Sequence, residues 1–499
     1  MDGPFSRGRF WRTAPRRLSR RSSACATSAA HRHPDESEGV TLSPPRLRSA
    51  SACRFICRSL AALAKGCRGT DNAKLSGVAK PGCYAPSGAI LGRGTIGSIV
   101  VSNTSPAPAS DVAIPPSASS ALSGQYWPAL AARFGAALAA SLAGPLRLGT
   151  KVIVARHCDV KEVLSRDLEF RIGPVNAERI DAVNGPFILG LDRGVKLVEE
   201  RRALYKALSQ VRLEPIREAI IDEAVTRIKV AGVKIDVVDG YARRIAAHTA
   251  RSLYGIAGSD EQTFVDVSRA IFHHIFLNLN GDKEVEARAL RAAPLMRKWF
   301  IDEIRRRRIS EDFGADMMGA LLRDGALDDD GVRRTLGGML VGSIDTTASS
   351  VAKIIAVIGR DRELGSRVAA DVDDEERLAG WCWEALRRWP HNPIVLRQAI
   401  ARTQLGEVNI EQGDQIIVWT QAAMLDPSAF PSPHELRPDR SRGAYLHFGA
   451  GLHPCAGRAV NDFQIPLLVA ALVRRGIKSV SNVQWAGPFP NHLPLQLER

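Results

Sequence analysis

Apolar residues recur at the three-to-four-residue spacing of helices through most of residues 125–499, and at the alternating spacing of strands only in short patches. The pattern predicts helices over 195–208, 215–231, 240–254, 260–277, 284–307, 331–358 and 375–389, with a closing helix from 455 to about 474. An earlier apolar stretch, 127–142, is stopped by Gly144-Pro145. Residues 146–155 read as a hairpin turning near Gly149-Thr150. Strand-like runs return at 394–401, 408–410 and 415–419, with Gly413-Asp414 as a turn between the last two. Asp159-Val-Lys-Glu162 has capping-box spacing and predicts a helix opening there and running through Leu164. The expected fold class is mainly α with small β-sheets, a single large domain over 125–499. No GxGxxG follows a strand, no phosphate-cradling GxxxxGK[ST] occurs and no internal repeat is evident, which argues against a nucleotide-binding α/β enzyme.

Composition changes this picture only at the N-terminal end. The 499-residue chain has a formal net charge of +15. Residues 1–124 carry 17 Lys/Arg against 6 Asp/Glu, so most of the excess lies in that quarter. This stretch is rich in Ser, Ala, Pro, Gly and Arg without periodicity, and is expected to be a disordered basic extension. It reads as an upstream segment that does not fold, as a transit peptide, or as a basic arm. Five of the eight cysteines lie there. Cys53, Cys57, Cys67 and Cys83 are too irregularly spaced for an ordinary zinc site. The remaining three, Cys158, Cys382 and Cys455, do not form a disulfide framework, which favours a reducing compartment. No uninterrupted run of 18 apolar residues occurs, so no membrane span is expected and the expected location is cytoplasmic.

The informative segment is Phe448-Gly-Ala-Gly451-Leu-His453-Pro-Cys455-Ala-Gly457-Arg458. A glycine-rich loop here delivers a cysteine to the start of a helix, where backbone N–H groups and the helix N-terminus favour the thiolate. A lone cysteine is usually a small buried hydrophobe, but that reading leaves a Phe, three glycines and a His at fixed offsets unexplained. The segment resembles the haem-binding loop of the cytochrome P450 family, F-x-x-G-x-x-x-C-x-G, with Phe448, Gly451, Cys455 and Gly457 at the fixed positions. Further family features occur in order over nearly all of 125–499, and the chain is similar to a soluble bacterial member.

The resemblance implies haem b (iron protoporphyrin IX) with Cys455 as the iron ligand and Phe448 shielding the sulfur. It implies a structural charge triad of Glu384, Arg387 and Arg440; alone, Glu384-Ala-Leu-Arg387 is an everyday helical i,i+3 pair. Arg397 and His453 match the residues that hold the haem propionates. Arg201 matches a third, although Leu197 stands at the aromatic position that usually precedes it by four residues. Arg201 reads equally as a solvated helix-face arginine. Residues 342–347, Gly-Ser-Ile-Asp-Thr-Thr, resemble the oxygen-activation segment, with Ser343 replacing a glycine. By that match Asp345 and Thr346 form an acid–alcohol pair for proton delivery. Small and hydroxyl residues in mid-helix also suggest a local kink, or hydroxyls that only bond back to carbonyls one turn earlier.

The expected function is a haem-thiolate monooxygenase that hydroxylates a small, apolar organic substrate with electrons from a separate ferredoxin-type donor, for which Arg458 is a candidate contact. The alternative is a peroxide-driven peroxygenase or hydroperoxide-rearranging enzyme. A remote third reading, a basic nucleic-acid-binding protein, rests on the N-terminal charge alone. No nucleic-acid partner is expected, and the protein is expected to be a monomer. Segments 170–190 and 268–282 are expected to flank the substrate pocket, with Ile271, Phe272, His273, His274 and Phe276 as an apolar lining.

Overall fold

A computed structural model describes residues 144–499. The basic extension, its four spaced cysteines and the stretch 127–142 lie outside the described residues. The described chain begins with the hairpin β1 (Leu146–Leu148) and β2 (Lys151–Val154), then α1 (His157–Ser165), β3 (Phe170–Arg171), α2 (Gly173–Val183), α3 (Val195–Gln210) and α4 (Glu214–Ala231). Next come β4 (Lys234–Asp236), α5 (Arg243–Tyr254), α6 (Glu261–Phe272), α7 (Lys283–Ser310), α8 (Met317–Asp324), α9 (Asp329–Ile358), α10 (Arg362–Ala370) and α11 (Glu375–Arg388). Strands β5 (Val395–Ala399), β6 (Thr403–Leu405), β7 (Val408–Ile410) and β8 (Gln415–Val418) follow, then the short α12 (Thr420–Ala423) and α13 (Arg458–Arg475). Four strands close the chain: β9 (Ile477–Val480), β10 (Gln484–Ala486), β11 (Phe489–His492) and β12 (Pro494–Leu497). The fold is mostly helical with small sheets, as the periodicity predicts.

The core is organised by α9, which packs against α5, α6, α7, α11 and α13. Its sequence is apolar nearly all round, the pattern of a helix buried on every side. It is long and apolar enough to cross a membrane by length and composition, yet most of its apolar window is buried inside the protein. Aspartate side chains fix several helix starts. Asp328 accepts from the Gly331 N–H at 2.7 Å, Asp282 from Glu284 at 2.9 Å, and Asp374 from Arg377 at 3.0 Å. The largest sheet has the order β1-β2-β8-β5-β3. In it β2 runs parallel to β8, and β5 pairs antiparallel with β8, placing Arg397 opposite Ile416.

Several local expectations are corrected. The capping box at 159–162 does not form: α1 starts at His157 with no side-chain cap, and Asp159 instead takes the Arg156 guanidinium at 2.7 and 2.9 Å. The predicted 240–254 and 260–277 helices each include a wide π-type turn, at Val237–Ala242 and His273–Leu277. The expected kink in mid-α9 is not a break, since α9 runs as one helix from Asp329 to Ile358. The last helix begins at Arg458, so Cys455 lies in the loop before it. Strands β9 to β12 are not among the elements that the sequence pattern predicts. One of them, β12, is held by β4, more than 250 residues upstream.

Candidate active site

Two glycines shape the cysteine loop. Gly449 and Gly451 adopt φ of +72° and +71°, the left-handed region that costs a side-chain-bearing residue about 1–2 kcal/mol. At Gly451 the requirement is also steric, because a Cβ there would overlap the Leu164 carbonyl oxygen. The loop thus seats directly on the end of α1. The Cys455 N–H donates to the Phe448 carbonyl at 2.8 Å, closing the loop. Phe448 is held by three rings or cations: Trp383 edge-on at 5.4 Å, His447 at 4.9 Å, and the Arg458 guanidinium over its face at 5.7 Å.

Cys455 lines a cavity of about 460 Å³ and its side chain is open to it, while protein crowds the sulfur from other directions. Burial therefore raises the thiol pKa. The Gly457 backbone N–H and the Arg458 guanidinium act the other way, favouring the thiolate.

The sequence-predicted cations gather at the same cavity. Arg397, His453 and Arg201 all line it. Arg397 is buried, and the only side-chain hydrogen bond it makes among the described residues goes to the Leu396 carbonyl at 2.8 Å. Burial pulls its pKa down to about 10, opposed by the field of Asp192. Burial likewise pushes His453 down to about 4, helped by Arg397 and Arg201. Arg201 donates to the Leu452 carbonyl and makes no ion pair among the described residues. Leu197, at the position where an aromatic residue is usual, is buried against the cavity. Asp192 is committed elsewhere: it accepts from the Ile172 and Gly173 N–H groups at 3.0 and 2.9 Å, tying down the start of α2. Two guanidinium groups without carboxylate partners beside a cavity suit a ligand that brings its own carboxylates.

Glu384 and Arg387 are fully buried in α11 and pair through both arms, Nε to Oε1 at 2.7 Å and Nη2 to Oε2 at 3.0 Å. Arg440 joins at 3.2 Å. Two partners were not predicted: the Arg437 N–H at 2.9 Å and the Tyr445 hydroxyl at 2.8 Å, both donating to Glu384. Arg387 also donates to the carbonyls of Met424, Pro433 and Glu435. Every charged atom is therefore satisfied, the condition under which a buried ion pair is tolerated. Tyr445 lies three residues before Phe448, so the network ties α11 to the cysteine loop.

In α9 the cavity face is Gly338, Met339, Val341, Gly342 and Ser343, and neither Asp345 nor Thr346 is among the lining residues. The Thr346 hydroxyl donates to the Gly342 carbonyl at 2.6 Å, and Thr347 to Ser343 at 2.7 Å. Asp345 is buried and pairs with Arg243 at 3.0 Å and Arg269 at 3.4 Å. Its Oδ2 has no hydrogen-bond partner. Burial raises its pKa, but the fields of Arg243, Arg269 and His273 outweigh that and leave it below the usual carboxylate value. The flanking segments 170–190 and 268–282 do contribute to the lining. Of the five residues expected from the second, only Phe276 reaches it; Ile271, Phe272, His273 and His274 are packed elsewhere. Arg179, also in the lining, was missed, because a single arginine in a helical pattern carries no local signal.

A cysteine open to a cavity that is edged by two arginines without carboxylate partners among the described residues is the arrangement that the resemblance to haem-thiolate proteins implies. Comparison with known proteins agrees. The cytochrome P450 family profile matches residues 146–475. The chain is 27% identical over 331 residues to cyclooctat-9-en-7-ol 5-monooxygenase of Streptomyces melanosporofaciens, covering 58% of this chain and 72% of that protein. It is 25% identical over 364 residues to mycinamicin IV hydroxylase/epoxidase of Micromonospora griseorubida, covering 69% and 88%. The open form of cytochrome P450 EryK from S. erythraea superposes with a TM-score of 0.64 at 21% identity, covering 74% of this chain and 96% of that one. The chain belongs to the cytochrome P450 family, and is an oxidoreductase of the monooxygenase type that uses haem b.

Proposed function

We propose that residues 125–499 form the catalytic unit of a monooxygenase that hydroxylates a small, largely apolar organic molecule, and that Cys455 would hold the haem iron through its sulfur. The observation that carries this reading is geometric: the Cys455 sulfur is open to the cavity at the end of the glycine-shaped loop, beside Arg397, His453 and Arg201 in the same lining. Arg397, His453 and Arg201 would hold the propionates. The bound haem supplies dioxygen activation and the oxidising power for C–H hydroxylation, with the thiolate favouring O–O cleavage.

The chain's own residues supply position and protons. Phe448, wedged between Trp383, His447 and Arg458, keeps water from the sulfur. The Glu384–Arg387–Arg440 network with Tyr445 fixes the loop against α11. Thr346 donates its hydroxyl proton to the Gly342 carbonyl, which leaves its oxygen as an acceptor just behind the cavity wall that Gly342 forms, and it would meet a reacting group by turning toward that wall. Asp345, with one carboxylate oxygen unpartnered, would pass protons inward when it lets go of Arg243 or Arg269. Electrons would come from a separate ferredoxin-type protein docking near Arg458, whose side chain is about half exposed and only loosely paired with Asp462 at 3.5 Å.

A second reading, peroxide-driven chemistry, draws on one observation: neither Asp345 nor Thr346 lines the cavity. Turnover separates the two. The monooxygenase reading expects product with dioxygen, a ferredoxin and its reductase. Full activity with hydrogen peroxide alone, and none with the redox chain, would overturn it.

A further inference from the structure

One cavity-lining cation stands outside the group assigned to the propionates. Arg179 is carried by α2 and reaches across to the turn at His273–Leu277, where its Nε donates to the Ile275 carbonyl at 3.1 Å. Its Nη2 donates to the Val175 carbonyl at 2.8 Å and lies 3.4 Å from the Asn176 amide oxygen. Its Nη1 donates to nothing among the described residues, and no carboxylate lies within ion-pair distance of it there. The neighbouring Glu178 is exposed and unpaired with it. Burial disfavours the Arg179 charge, with only the field of Glu178 in opposition. In the same cavity, residues 172–189 and the 273–277 turn present Ile172, Ile180, Leu189, Ile275, Phe276 and Leu277 to the lining.

We propose that Arg179 is an anion subsite, and that the substrate is an apolar molecule bearing a carboxylate. This rests on the monooxygenase reading above and narrows its substrate class. The two backbone tethers hold the guanidinium plane in place before any ligand arrives, which lowers the cost of ordering it on binding. The Nη1 group, which has no acceptor among the described residues, keeps its N–H donors for a ligand, and Nη2 could join it by giving up the long Asn176 contact. The two together would make the paired, charge-assisted contact that a carboxylate takes. The apolar lining then holds the carbon skeleton.

The test uses the full haem-loaded chain and matched pairs of carboxylic acids and their primary amides on three skeletons: a linear alkane, a fused polycyclic hydrocarbon and an aryl-propane. Binding is followed by equilibrium dialysis and by the haem absorption shift. At least one acid is expected to bind about tenfold or more tightly than its amide, a difference of about 1.4 kcal/mol. Arg179→Gln should erase that preference while leaving amide binding within about twofold, and Arg179→Lys should retain part of it. The proposal is overturned if no acid outbinds its amide. It is equally overturned if Arg179→Gln weakens acid and amide alike, the mark of a strut between α2 and the 273–277 turn. A reduced carbon monoxide spectrum recorded on the same sample beforehand reports on the haem-thiolate reading separately. Failure of the panel in a sample with a thiolate-type spectrum therefore removes only the carboxylate.

Discussion

Arg243 holds Asp345 by one carboxylate oxygen, Nη2 to Oδ1 at 3.0 Å, and leaves the other oxygen buried without a partner. Arg269 approaches the same Oδ1 at 3.4 Å, while Asp239, about one-third exposed, pairs with Arg243 from its other side at 2.7 Å. A chain of charges thus runs from partly exposed Asp239 through buried Arg243 to Asp345 in α9. If Asp345 relays protons, Asp345→Asn should keep haem and substrate binding but slow turnover about 10²-fold, with a larger solvent isotope effect on kcat. Unchanged kcat and isotope effect would remove Asp345 from the proton path.

The same carboxylate contributes to stability with a definite sign. Its folded pKa lies below the ordinary aspartate value of about 3.9. Above that value the ionised form stabilises the fold, and the contribution is lost as pH falls through the folded pKa. Buried histidines act at higher pH. Burial, with Arg269, pushes His273 down to about 3, and burial, with His391 and Arg458, does the same to His447. Both stay neutral in the fold but protonate near pH 6.5 once unfolded. Stability should therefore be full above about 6.5 and fall on acidification, by up to about 1.4 kcal/mol per pH unit for each group. Urea midpoints between pH 7.5 and 5 measure this; a flat profile would contradict it.

The buried network at Glu384 predicts an asymmetric response. Glu384→Ala strands Arg387 and Arg440, and should cost about 3–5 kcal/mol, with loss of haem from the loop that Tyr445 anchors. Tyr445→Phe removes one neutral donor and should cost only about 1–3 kcal/mol. Denaturant unfolding with haem content measured alongside checks both. Equal effects from the two changes would show that the ion pair is not the element holding the loop.

Gly451→Val tests the loop's seat on α1. The side chain meets the Leu164 carbonyl and must adopt a left-handed backbone, so a loss of at least about 2 kcal/mol is expected. Gly342→Ala is the contrast, since a Cβ there meets nothing within 4 Å. It should fold normally and change only the cavity. Thermal unfolding of both variants separates a loop requirement from general intolerance of side chains at glycine.

What the sequence made legible follows physical range. The cysteine loop was readable because its geometry is encoded within eleven residues, the glycines at 449 and 451 included. Glu384 and Arg387 were readable as an i,i+3 pair, and Arg440 through its place in the family pattern. The partners that make these groups work lie far along the chain. Arg243 stands 102 residues before Asp345, and Tyr445 61 residues after Glu384; neither leaves a periodic trace. The charged N-terminal quarter drew attention by composition, yet the family match begins at residue 146, beyond it. Segment 268–282 does reach the cavity, but Ile271, Phe272, His273 and His274 were misjudged within it, because apolar spacing does not distinguish a face turned to a cavity from one turned to the core.

The central claim is that the Cys455 sulfur binds the haem iron, and the reduced carbon monoxide difference spectrum of purified protein beside its Cys455→Ser variant tests it most directly. The wild-type protein should show the thiolate-type absorption band, and the variant should lose that band whether or not it keeps haem. A purified wild-type protein without haem, or a variant that retains the thiolate-type band, would contradict the claim.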